Sequence, residues 1–256
     1  NTILSGKEAV FYPETDLIDV GNTLSVQKGK VYFNSEESVT PQILILSEKG
    51  QILGKDTIIV QDYFLWGNGT SIGGEGMLHN LRRTEMARVD QTSEPRVLGN
   101  RLFVNSGEII WSAGDLITFE KAVIINEIDS VFSIQGNVGS TAFMPKAYPQ
   151  ILNDGLLEIT DAADNVVLDW NIQSSGTVKL PKGRVTIRGG LTLNGGQLLS
   201  DSSTLSTPSL KVQKAVLDGQ LSIDGNLQSF GRLDLRSSDT SLYVSDTIEF
   251  DPANRL

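Results

Sequence analysis

The chain has no cysteine, so disulfides, thiolate metal sites and a thiol nucleophile are all excluded. That absence does not fix the compartment, because a chain of 256 residues can bury a core large enough to need no staples. There is one histidine, His79, which leaves little room for His-based catalysis or a multi-histidine metal centre. Basic residues are outnumbered, 21 Lys and Arg against 31 Asp and Glu. The resulting charge of −10 excludes the basic surface that nucleic acid requires. No apolar run approaches the roughly 20 residues of a membrane-spanning helix, and no basic amphipathic stretch suggests a surface helix. The chain opens on Asn1 without a charged-then-apolar leader, which reads as a processed product or a piece of something longer.

What is abundant is glycine, 25 residues of it, in a chain that is 39% hydrophobic. In the C-terminal half a glycine is followed again and again by an alternating apolar triplet: Gly176-Thr-Val178-Lys-Leu180, Gly183-Arg-Val185-Thr-Ile187, Gly219-Gln-Leu221-Ser-Ile223, Gly231-Arg-Leu233-Asp-Leu235. Each triplet is a short strand with one face inward. Gly219, Gly225 and Gly231 stand too close together for a helix to fit between them. Asp154-Gly155, Asn194-Gly195, Asp218-Gly219 and Asp224-Gly225 mark corners that tolerate positive φ and would equally suit two-residue hairpins.

Hairpins closing a sandwich and strands winding in one direction therefore compete, and repetition separates them. Trp66 and Trp111 each close an apolar strand and precede a glycine-containing corner, 45 residues apart. That interval is two turns of a coil of about 22 residues, which accommodates three short strands and three corners per turn. The expected architecture is a single all-β parallel β-helix over residues 1–256, right-handed as parallel crossovers favour, with roughly eleven turns standing about 50 Å tall. Pro145 and Pro149 break the rhythm and mark an irregular loop at 139–150.

The order Trp66, glycine-rich corner, Gly73-Gly74-Glu75-Gly76-Met77-Leu78, then "RVLGNRLFVNSGEIIWSAGDL" and "KAVIINEIDSVFSIQGN" resembles extracellular parallel β-helix repeat proteins, the Trp/Gly-corner solenoids of surface proteins and adhesins. The resemblance covers about residues 60–137. It implies an extracellular or cell-surface protein; the reading as a non-enzyme comes instead from the motifs that follow. Residues 79–96, "HNLRRTEMARVDQTSEPR", depart from the pattern by their charge. Met86, Arg88 and Asp90 nevertheless keep a strand-like alternation, with a short outer helix as the competing reading.

Gly69-Thr70-Ser71-Ile72-Gly73 spells the G-x-S-x-G of a nucleophile elbow, but that motif needs a helix after the serine and a histidine late in the chain. More glycine follows Ser71, and His79 is only eight residues on, so Ser71 is read as part of a bend. Gly50-Gln-Ile-Leu-Gly54-Lys55-Asp56 is one residue short of a phosphate loop and lacks its hydroxyl. Asp161, Asp164 and Asp169, with Lys179, Lys182 and Arg184 nearby, form the weak alternative site for calcium or carbohydrate, and underlie the runner-up function: a polysaccharide-binding or polysaccharide-cleaving β-helix. Asn68-Gly69-Thr70 is the one N-glycosylation triplet and makes Asn68 the candidate acceptor, expected on an exposed corner. Trp66, Trp111 and Trp170 read as core rather than as a sugar-stacking ladder. No cofactor and no metal are expected. Neither end reads as a cap, so the leading function is a structural or adhesive segment of a fibre, stalk or surface coat, with copies or adjoining segments meeting end to end.

Overall fold

The computed structural model describes residues 2–12, 20–89, 93–119, 121–136, 138–143, 148–160, 166–237 and 239–250. It is a β-solenoid of about 11 turns with a spacing near 21 residues, 69% strand and without a helix among the described residues. Every strand pairing among the described residues is parallel. Hairpins are thereby excluded, because a two-residue corner cannot return the chain antiparallel and leave a parallel ladder.

The coil length is set by the corners. The strands starting at Ile43, Tyr63 and Arg83 follow one another at 20-residue intervals. The next starts, Glu108, Val131 and Leu156, come later because longer corners intervene. Trp66 lies beside Met86, and Met86 beside Trp111, so the 45 residues between the tryptophans are two turns.

Alternation decides which side chains enter the core. Leu24, Leu44, Phe64, Thr84, Ile109, Phe132, Leu157, Val178 and Leu198 stack in one inward column through nine successive coils. All nine are buried. Burying each large apolar side chain contributes about 1.5–3 kcal/mol, and each coil repeats the gain on the coil beneath. Trp66, Trp111 and Trp170 are all fully enclosed, as their apolar neighbours suggest. Trp66 stacks on Phe64 at 6.0 Å and tilts against Phe103 at 6.1 Å.

Corners are tight enough to demand glycine where coils touch. Gly54 (φ 104°) and Gly74 (φ 92°) sit one above the other, and a β-carbon on either would fall 2.2 Å from the carbonyl oxygen of the preceding coil. Gly155 differs from the other Asp-Gly and Asn-Gly corners, since its φ is not positive; it is required instead by Ser130 O, which a β-carbon would meet at 2.3 Å.

The charged stretch after His79 is strand, Met77–Asn80 and Arg83–Ala87, with Met86 inward in the core. Its charges occupy the outer face, where Arg83 bridges Glu85 at 2.5 Å and Glu108 at 3.5 Å. The alternation ends at Ala87; Arg88 is exposed, and Asp90 lies outside the described residues. Within 139–150, Ser140–Phe143 is a strand laid on Leu116–Phe119, and the next strand, Gln150–Asn153, is laid on Val123–Asn126. From Gly190 to Leu235 strand geometry continues through the corners without a break.

Candidate functional site

Of the three carboxylates nominated from sequence, Asp169 alone falls among the described residues. Asp161 and Asp164 lie outside the described residues. Asp169 is buried, where its carboxylate accepts the Ala142 N–H at 3.1 Å and pairs with Arg188 at 3.2 Å. Lys179 pairs with Glu158, and Arg184 with Asp224, on the outer face. These bonds tie coils together and leave Asp169 committed to the scaffold. No group of three or more metal-ligating side chains occurs among the described residues, and no helix is long and apolar enough to cross a membrane.

Asn68 is 2% exposed, not on an exposed corner, and its Oδ1 accepts the Val89 N–H at 3.2 Å. Attaching a glycan to Nδ2 would require that buried side chain to leave its place. Burial of Asn68 follows from the corner above the Trp66 strand, where Thr70 Oγ1 turns back to donate to Gly67 O at 2.6 Å.

His79 does not serve Ser71. Its Nε2 lies 2.6 Å from Ser106 Oγ, one coil further on, and Ser106 Oγ in turn donates to Glu127. The constellation holds serine, histidine and acid, but in the wrong order for nucleophile activation. The acid takes the serine proton, so the histidine cannot be the base that removes it. The neighbouring amides are also spent: Ser106 N–H on Asn80 O, Gly107 N–H on Asn105 Oδ1, Glu127 N–H on Asn105 O. No donor pair is left there for an oxyanion.

Beside that cluster runs an interior ladder of amides. Asn80 Nδ2 donates to Asn105 Oδ1, Asn105 to Asn126, and Asn126 to Asn153, each at 2.7 Å, and Asn153 ends on Ser174 Oγ at 2.9 Å. Each Nδ2 also donates to a backbone carbonyl of the following corner: Glu108, Val131, Leu156 and Thr177. The phrases Asn105-Ser106-Gly107, Asn153-Asp154-Gly155 and Ser174-Ser175-Gly176 carry the sequence signal, a polar residue two before a corner glycine, which the reading of glycines alone passed over.

Two arginines lie wholly inside. Arg96 donates to Trp66 O at 2.7 Å, to Ala113 O at 2.6 Å and to Ala87 O, and Arg101 donates to Asp56 O at 2.9 Å and Gly54 O at 3.3 Å. Burial pushes both guanidinium groups down to about 10, against the opposing pull of Asp115 on Arg96 and of Asp56 on Arg101. On the outer face, Tyr63 Oη donates to Glu85 Oε2 at 2.6 Å. Desolvation, then that bond, pushes the Tyr63 phenol up to about 12, and the bond from Tyr63 holds the Glu85 carboxyl below its ordinary range.

The G-x-S-x-G stretch does line a groove of about 430 Å³. The strand register explains its shape. Ile52 pairs with Ile72 and Ile72 with Leu98, so the next outward residues, Leu53, Gly73 and Gly99, fall into one column, which Phe119 continues. Two side chains are missing in succession from an otherwise filled outer column. Leu53 and Phe119 wall the ends, with Phe119 in turn packed on Phe143 at 5.3 Å. Ser71, Glu75 and Asn100 also line the groove.

Comparison of the chain with family models, with curated proteins and with solved structures gave no match.

Proposed function

We propose that the chain is a non-enzymatic extracellular structural or adhesive solenoid, a segment or subunit of a fibre, stalk or surface coat whose terminal coils meet further coils end to end. The observation that carries the reading is the state of the two ends. The outermost strands, Thr2–Ser5 and Glu8–Phe11 at one end and Ser241–Val244 and Ile248–Phe250 at the other, each pair on one side only among the described residues. Leu4 and Phe11, and Leu233, Leu242 and Val244, continue the core but are only partly buried among the described residues. Ile3, Tyr243 and Phe250 are more than half exposed. Open parallel edges with apolar layers are surfaces that pair with more of the same geometry. The resemblance to surface-protein solenoids supports the extracellular placement, and the spent donors around Ser106 and the committed Asp169 support a scaffold over a catalyst.

Sedimentation and light scattering across a concentration series test the reading. Mass that grows with concentration, with rods in electron micrographs lengthening in coil-sized register, is the expected result. Particles that stay monomeric at every concentration count against it.

A further inference from the structure

Glycine at 73 is not explained by the fold. At Gly54 and Gly74 a β-carbon would strike backbone at 2.2 Å and φ is positive, so no other residue fits. Gly73 and Gly99 have no positive φ. A β-carbon on Gly73 would meet only Leu53 Cδ2, at 3.1 Å, the end of a flexible side chain; one on Gly99 would meet Gly73 Cα at 3.1 Å. A small shift of Leu53 would admit alanine at 73, whereas at 99 the added carbon meets only backbone, Gly73 Cα and also Ile72 O at 3.4 Å. Neither backbone conformation nor backbone crowding calls for glycine at 73, yet it lies in register with Gly99, and together they hold a slot open in the outer face.

The slot has a defined shape and chemistry. It runs three strand spacings, about 14 Å, from Leu53 to Phe119. Its floor is the flat backbone of two coils, whose amides are already engaged: Gly73 N–H on Ile52 O and Gly99 N–H on Ile72 O. Floor and end walls therefore offer contact to an apolar face. Ser71, Glu75 and Asn100 supply the polar rim, and none of their side chains makes a hydrogen bond or ion pair with a described residue.

We infer that this slot binds a neutral saccharide of two linked pyranose rings. A pyranose presents an apolar ring face to the glycine floor and the Leu53 and Phe119 walls, while its equatorial hydroxyls reach outward to an acceptor, a hydroxyl and an amide. A purely aromatic ligand would leave the three polar groups without partners. An anionic sugar would meet Glu75 in a chain of net charge −10. The inference rests on the adhesive half of the reading above, and gives it a ligand class.

The test uses the whole chain with cellobiose, N,N′-diacetylchitobiose and digalacturonate, followed by saturation-transfer NMR and calorimetry. A shallow single slot is expected to bind one of the neutral disaccharides at roughly millimolar Kd and digalacturonate not at all. Gly73→Ala fills the floor and is expected to weaken binding about tenfold with an unchanged melting midpoint. Asn100→Ala, at a surface position with no bond to lose, is expected to weaken it several-fold. The proposal is overturned by silence from both neutral sugars, by undiminished binding in both variants, by preference for digalacturonate, or by displacement with N-acetylphenylalanine amide alone. Absent binding with assembly intact refutes the slot and leaves the fibre; absent assembly with binding intact does the reverse.

Discussion

Asn105 donates its amide to Asn126 across two coils whose backbones pair at the same two residues, at 2.7 Å and with neither side chain exposed. The stack is thus held in register twice, by the peptide ladder and by a ladder of side chains inside the corner. A slipped register would set an Asn against an apolar neighbour and leave buried amide groups unpaired, which is costly inside a low-dielectric core.

Asn126→Ala removes the bond from Asn105 and the bond to Asn153, together with the donor to Leu156 O. The expected cost is about 2–4 kcal/mol, since each orphaned buried group forfeits its own share. In a stacked array the loss should be local at first. Hydrogen exchange is expected to accelerate at Asn105, Glu127 and Val131 well before the terminal coils change, and uniform acceleration along the rod would refute a local role.

Arg96 and Arg101 are equally hidden but unequally satisfied. Three nitrogens of Arg96 reach three carbonyls, whereas Arg101 bonds through Nη2 alone, and its Nε and Nη1 have no partner. Arg96→Met leaves three carbonyls unpaired at about 1–3 kcal/mol each before relaxation. Arg101→Met takes a donor from Asp56 O, while Gly54 O keeps the Glu75 and Gly76 N–H groups, and it removes a poorly compensated buried cation, so it should cost much less. Chemical denaturation of the pair of variants checks the order; equal losses would contradict it.

Tyr63 is expected to ionise late. Its folded value of about 12 exceeds its ordinary 10.0. The stabilisation it contributes is therefore complete below pH 10 and is lost as pH rises from 10 to 12. Arg96 and Arg101, lowered to about 10, act with the opposite sign as pH rises above 10, so ultraviolet absorbance is a cleaner readout than a melting curve. Tyr63→Phe should abolish a late phase in the phenolate titration. A titration complete near pH 10 in the folded protein would show that the Glu85 bond does not form.

The strands and their parallel stacking were legible because they rest on period-two alternation and on glycine spacing, both written directly in the chain; the Trp66–Trp111 interval even gives the coil length. Residues 79–96 were ambiguous because Arg83 and Glu85 look helical or loop-like by charge, and become strand residues only once an outer face exists to receive them. The amide ladder was harder, since Asn80, Asn105, Asn126 and Asn153 are unevenly spaced and coincide only after the longer corners are wound in. Asn68 was misplaced as exposed because a glycosylation triplet says nothing of which way its side chain turns. The slot at Gly73 and Gly99 was invisible for a similar reason: in sequence these are two more glycines among 25, and only register sets one beside the other.

End-to-end stacking must overcome repulsion between chains that each carry −10. Screening shortens that repulsion to about 8 Å at physiological ionic strength, while the apolar attraction between terminal coils is indifferent to moderate salt. Assembly is therefore expected to strengthen as salt rises from low to physiological levels. Tyr243 and Phe250 stand out from the last described coil, and Leu242 and Val244 continue its core. Leu242→Lys places a charge where the next coil would have to bury it, and should hold the protein as single rods without unfolding the coils beneath. Leu199→Lys, on a mid-stack coil whose side chain lines an outer groove, is the control and should leave assembly intact. Sedimentation of both variants across the salt series separates the outcomes: assembly that weakens with salt, or that survives Leu242→Lys, would mean the contact lies along the sides of the rod rather than at its ends.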